Sequence, residues 1–143
     1  MQTIGYIKLF GDISSAVYEN YPKVRLLKPV INKVFRTRKG RTKYIPLRDG
    51  EKINLGERTL IVKDFPGHTP GSVCLVGDGF ILTGDTLFRG SAGRCDLAGG
   101  DQFALLKSLK RLCELSGNYT LYPGHGGSTD LQRERTNNPY MQD

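Results

Sequence analysis

The sequence has no tryptophan, only two methionines and only two histidines, His68 and His125, in 143 residues. Such scarcity of imidazole excludes a three-histidine zinc site built from these residues alone. Cysteine is also sparse. Cys74, Cys95 and Cys113 form no C-x-x-C pair and are odd in number, which argues against a disulfide framework or a cysteine zinc knuckle and for reduced thiols. Long apolar runs are absent, so no membrane span is expected. The first ten residues lack the basic start and small-residue cleavage site of a secretory signal, and the expectation is a soluble, cytoplasmic chain forming one domain over residues 1–143.

Acidic residues are missing from one stretch. Between Tyr21 and Arg48 there are ten Lys or Arg and no Asp or Glu, and this accounts for much of the net charge of +7. A solvated surface is the plain reading of that stretch, and attraction of an anionic small substrate is the functional one. Aromatic residues are few there and no recognition motif accompanies them, so nucleic acid is not the expected partner.

What is present is organised by glycine and proline. Ile4, Ile7, Phe10, Ile13 and Val17 recur at helical spacing before Pro22, Val24 to Leu27 reads as a short strand, and Val30 to Phe35 as a short helix. Beyond the basic loop the pattern turns to strands: Tyr44 to Leu47, Ile53 to Leu55, Thr59 to Phe65, Ser72 to Val76 and Phe80 to Thr83. Gly77-Asp78-Gly79 is a hairpin signal between the last two. A glycine-rich loop over 89–101 leads into a helix capped by Asp101, with Phe103, Leu106, Leu109 and Cys113 predicted on its buried face and Gly117 as its stop. Tyr119 to Tyr122 predicts one more strand, and Ser128 or Thr129 the cap of a final helix through Arg135.

Three polar residues stand where these strands end. His68 lies in Gly67-His68-Thr69-Pro70-Gly71-Ser72, Asp85 in Thr83-Gly84-Asp85-Thr86, and His125 in Tyr122-Pro123-Gly124-His125-Gly126. Two imidazoles and a carboxylate at strand ends in glycine-flanked turns suit a divalent metal, because a rigid backbone behind each side chain fixes its aim. Asp96 and Asp101 are better explained as a loop hydrogen bond and a helix cap.

These motifs, with G-R-x-D-L-x-G-G-D at 93–101 and R-E-R-T-N-N-P-Y at 133–140, resemble the metallo-β-lactamase-fold hydrolases, and within them the hydroxyacylglutathione-hydrolase-like (glyoxalase II-like) branch. The resemblance runs from about Ile45 to Met141. It implies an α/β fold, part of an αββα sandwich, and hydrolysis of a thioester such as a hydroxyacylglutathione by a metal-bound hydroxide. It further implies metal-ligand roles for His68, Asp85 and His125, with Asp85 bridging two ions, and a contact from Arg94 to the carboxylate of an anionic substrate. Zinc is the implied metal, with iron or manganese as alternatives.

The family's H-x-H-x-D-H motif has no counterpart here, since no histidine precedes His68. The expectation is a family member without its N-terminal strands, up to two metal ions only if the missing ligands are supplied, and either self-association or a complementing chain. The alternative from a different class is a metal-free binding or assembly subunit that holds an anionic partner on the basic surface of residues 21–48.

Overall fold

A computed structural model describes residues 47–142 apart from Gly56. The helix, strand and helix expected before residue 44 lie outside the described residues, as does nearly all of the basic 21–48 stretch. Ten elements follow one another: β1 (Lys52–Leu55), β2 (Arg58–Asp64), β3 (Val73–Val76), β4 (Phe80–Gly84), β5 (Leu87–Phe88), β6 (Ser91–Ala92), α1 (Gln102–Cys113), β7 (Thr120–Pro123), β8 (Thr129–Asp130) and α2 (Leu131–Asn137). Six strands form one sheet in the order β1-β2-β3-β4-β7-β8, and β5 pairs with β6 as a separate small hairpin.

β1 to β4 form an antiparallel meander, with short turns joining β1 to β2 and β3 to β4 and the longer 65–72 segment joining β2 to β3. In the β3–β4 turn Gly77 N donates to Phe80 O at 2.8 Å, as the Gly-Asp-Gly signal predicts. β7 instead runs parallel to β4, and α1 is the crossover that such a connection needs. The strands of this region are buried almost without alternation, Val73, Cys74 and Leu75 in β3 and Ile81, Leu82 and Thr83 in β4, which is the pattern of strands covered on both faces.

One core joins sheet and helices. Phe65, Cys74, Ile81, Leu87 and Leu121 pack with Leu105, Leu109 and Leu112 of α1 and Leu131 of α2. The helical face differs from the one predicted. Leu105, Ser108, Leu109 and Leu112 are buried in α1, whereas Phe103 and Leu106 are exposed. Two sets at helical spacing compete in this sequence, and the helix start decides between them: Asp101 N donates to Gly67 O at 2.8 Å and Ser108 Oγ to Pro66 O at 2.6 Å, fixing the rotation. Phe103 then lies at the surface under the Lys107 ammonium, 4.7 Å from its ring centre.

Asp101 caps α1 as expected, its side chain accepting from Ala104 N at 2.9 Å. α2 departs from expectation. Its cap is Asp130, which accepts from Arg133 N at 2.9 Å, while the Thr129 hydroxyl donates to Glu134 Oε1 instead. Leu47 lies outside any strand, so the strand predicted over 44–47 is not seen at its one described residue. No described helix is long and apolar enough to cross a membrane.

Candidate metal centre

β4 and β7 deliver two of the three candidate residues. Their parallel register shifts between Leu82 and Gly84, placing Gly84 opposite Pro123, and Gly124 N donates to Gly84 O at 2.8 Å. Such an irregularity re-aims the residues that follow it. Asp85 and His125 emerge side by side, and Asp85 Oδ1 accepts from His125 Nδ1 at 2.8 Å. Gly124 makes the approach feasible, since a Cβ there would stand 2.7 Å from Asp85 Oδ1.

His68 arrives from the turn between β2 and β3. Thr69 N donates to Ser72 Oγ at 3.0 Å and Ser72 N to Thr69 O at 3.3 Å, a local closure that gives the turn its shape. His68 Nδ1 donates to the main-chain oxygen of Arg94 at 2.8 Å, and its Nε2 lies 3.5 Å from Asp85 Oδ2. His68 and Asp85 are nearly buried, 7% and 9% exposed, while the His125 side chain is 63% exposed. Gly93 closes the site from below: a Cβ on it would fall 1.9 Å from Asp85 O and 3.2 Å from His68 Cβ.

The donor set can be compared with a metal's needs. A carbonyl only accepts, so the bond to Arg94 O puts a proton on His68 Nδ1 and turns Nε2 toward the carboxylate. Two ligands of a tetrahedral zinc stand about 3.4 Å apart, given metal–ligand distances of about 2.0–2.1 Å. The observed 3.5 Å between His68 Nε2 and Asp85 Oδ2 fits that spacing. His125 is different, because its Nδ1 is in direct hydrogen-bond contact with Asp85. Among the described residues no group of three His, Cys, Asp or Glu is arranged to hold an ion together.

Arg94 gives its main chain to the site and pairs its side chain locally. Its guanidinium forks onto Asp96, with both contacts at 2.7 Å, and the two hydrogen bonds hold the Asp96 carboxyl down at about 2. Residue 94 reaches the site through its carbonyl instead of its charge. Cys95 lies half-buried beside this loop with its thiol raised by burial, which disfavours the thiolate a soft metal would take.

Several contributors are invisible to motif reading. The β5–β6 hairpin runs from Leu87 into the start of the loop predicted over 89–101, and Phe88 on it meets His125 edge to face, ring centres 5.9 Å apart. Behind that hairpin stand the buried Glu134 and Asn138 of the R-E-R-T-N-N-P-Y segment. The signal that could have found them is a glutamate and an asparagine on one side of a short helix, at i and i+4, in a segment with few other reasons to be buried.

The model of the metallo-beta-lactamase superfamily matches residues 13–125 of this chain. The probable metallo-hydrolase YqgX of Bacillus subtilis is 42% identical over 96 residues, covering 65% of this chain and 45% of that protein. The hydroxyacylglutathione hydrolase GloC of Haemophilus influenzae is 33% identical over 102 residues, covering 66% of this chain and 46% of that protein. Among solved structures, TTHA1623 in a di-iron-bound form aligns with a TM-score of 0.64 at 34% identity, covering 83% of this chain and 68% of that one. The chain spans just under half the length of the curated relatives it matches.

Proposed function

The chain belongs to the metallo-beta-lactamase superfamily, and from that premise we propose that it carries part of the metal centre of a thioester hydrolase of the hydroxyacylglutathione-hydrolase type. The observation that carries the proposal is the 3.5 Å separation of His68 Nε2 and Asp85 Oδ2. That spacing is the one expected of two ligands to a single tetrahedral ion. His68 and Asp85 would hold the ion, and His125 would join them by giving up its hydrogen bond to Asp85.

A divalent ion bound there supplies Lewis acidity, polarising a carbonyl and making water a nucleophile near neutral pH. The chain's own residues supply the frame. Arg94 O fixes the His68 tautomer and ring plane, in the way that outer partners usually orient metal-bound imidazoles. Gly93 and Gly124 let main chain and carboxylate meet without intervening side chains. Burial of Asp85 keeps its charge unscreened and so favours a cation beside it.

Two to three donors are fewer than a two-ion hydrolytic centre uses. We propose that the remaining ligands, of the H-x-H-x-D-H kind, come from outside these 143 residues, on the same polypeptide or on a complementing chain. The likeness to GloC supports the choice of a thioester substrate. The test is hydrolysis of a hydroxyacylglutathione by the chain, zinc or iron present, with and without a polypeptide carrying that segment. Activity that appears on complementation and disappears in Asp85→Asn supports the reading; complemented activity that survives Asp85→Asn contradicts it.

A further inference from the structure

Glu134 is fully buried and is not among the candidate metal ligands, and its carboxylate is surrounded by donors. Oε1 accepts from Thr129 Oγ1 at 2.5 Å and from Arg133 Nη1 at 2.8 Å. Oε2 accepts from Gly90 N at 2.8 Å and from Asn138 Nδ2 at 2.9 Å. Burial penalises the charge on this carboxylate, but the hydrogen bonds from Thr129, Gly90, Asn138 and Arg133 outweigh it and hold the group below its usual range. A buried carboxylate kept ionised at that cost has a geometric task.

The task is legible in what the bonds grip. Gly90 is the turn between β5 and β6, and Asn138 Nδ2 also donates to Phe88 O at 3.3 Å and to Ser91 O at 3.1 Å. Together Glu134 and Asn138 hold the main chain at residues 88, 90 and 91, three of the four residues of the turn. Phe88 stands on that turn with its ring edge to face with His125. His68 is bonded to Arg94 O, outside the 88–91 turn, and beside Arg94 the Gly93 N donates to Thr86 O at 3.2 Å.

We infer that Glu134 and Asn138 are positioning residues of the candidate metal centre, acting through the 88–91 turn and Phe88 to set the orientation of the His125 imidazole. Their relevance to catalysis rests on the proposed function, whereas the mechanical coupling itself does not. The bond to Asp85 fixes one edge of the exposed imidazole, and the aromatic edge of Phe88 narrows the rotamer choice that remains.

Because the chain has two histidines, their ring protons give two resolvable sets of NMR signals in the metal-free protein. Phe88→Leu, which removes the ring, defines where the His125 signals go when the contact is lost. Glu134→Gln and Asn138→Ala should each move the His125 signals toward that position while His68 stays in place. Unmoved His125 signals in Asn138→Ala, with a native amide spectrum, would overturn the inference even if Glu134→Gln failed to fold. Equal movement of both histidines would overturn it too, as a general loosening of the fold. A zinc titration on the same samples, with a polypeptide carrying the H-x-H-x-D-H segment added, keeps the questions apart: no response to zinc then sinks the metal reading and leaves the coupling result standing.

Discussion

Replacing Gly93 with alanine tests the packing beneath the site with one methyl group. The added Cβ would lie 1.9 Å from Asp85 O, 3.1 Å from Asp85 C and 3.2 Å from His68 Cβ. A carbon–oxygen contact needs well over 3 Å, so something must move by more than an ångström, and the obstacle is main chain, which yields less readily than a side-chain tip. Overpacking of this kind costs about 1–3 kcal/mol, and we expect the upper end. With a urea dependence of about 2 kcal/mol per molar, a loss of about 3 kcal/mol lowers the unfolding midpoint by about 1.5 M. Gly90→Ala is the control, because its Cβ meets nothing within 4 Å and only its φ of +71° is strained. That strain costs about 1–2 kcal/mol. The assay is paired urea unfolding of both variants, with the His68 ring signals followed in the native baseline. A Gly93→Ala midpoint equal to or above that of Gly90→Ala, with His68 unmoved, would refute the reasoning.

Three further outcomes follow from the structure. Leu109 is fully buried between α1 and the sheet, so Leu109→Ala should lose about 2–5 kcal/mol by denaturant unfolding. Burial pushes the Cys74 thiol up to about 12, leaving a thiolate fraction on the order of one in ten thousand at pH 8; thiol-reagent counting should find Cys74 silent in the native state and reactive only on unfolding. The Asp96 carboxyl, held at about 2 by Arg94 against an ordinary 3.8, should titrate near 2 by carbon NMR and return toward 3.8 in Arg94→Ala. Since its folded value is depressed, whatever the pair contributes to stability is present above pH 3.8 and is lost as pH falls through about 2.

Much of this fold is legible in the sequence because turn chemistry is local. Gly77-Asp78-Gly79 closes β3 on β4, Asp101 caps α1, and the apolar runs between them have the length of strands. The three candidate residues are equally legible, each in a glycine-rich turn at a strand end, and the chain brings all three within hydrogen-bond or ligand spacing. What the sequence conceals depends on docking. The buried face of α1 is chosen by Asp101 and Ser108 bonding to the 66–67 segment, and Thr129 lies in a strand because Leu121 is opposite it. Arg94 shows the same limit. The family resemblance gives its side chain a substrate contact, and what only the folded loop reveals is the pairing of that charge with Asp96 and the carbonyl presented to His68.

The most direct test is a zinc titration of the metal-free chain, complemented with a polypeptide carrying the H-x-H-x-D-H segment, followed by the ring signals of His68 and His125. The account predicts that His68 responds to zinc, that His125 follows as its bond to Asp85 is exchanged, and that Asp85→Asn greatly weakens both responses. His68 signals that stay fixed at saturating zinc, or a response unchanged in Asp85→Asn, would contradict it.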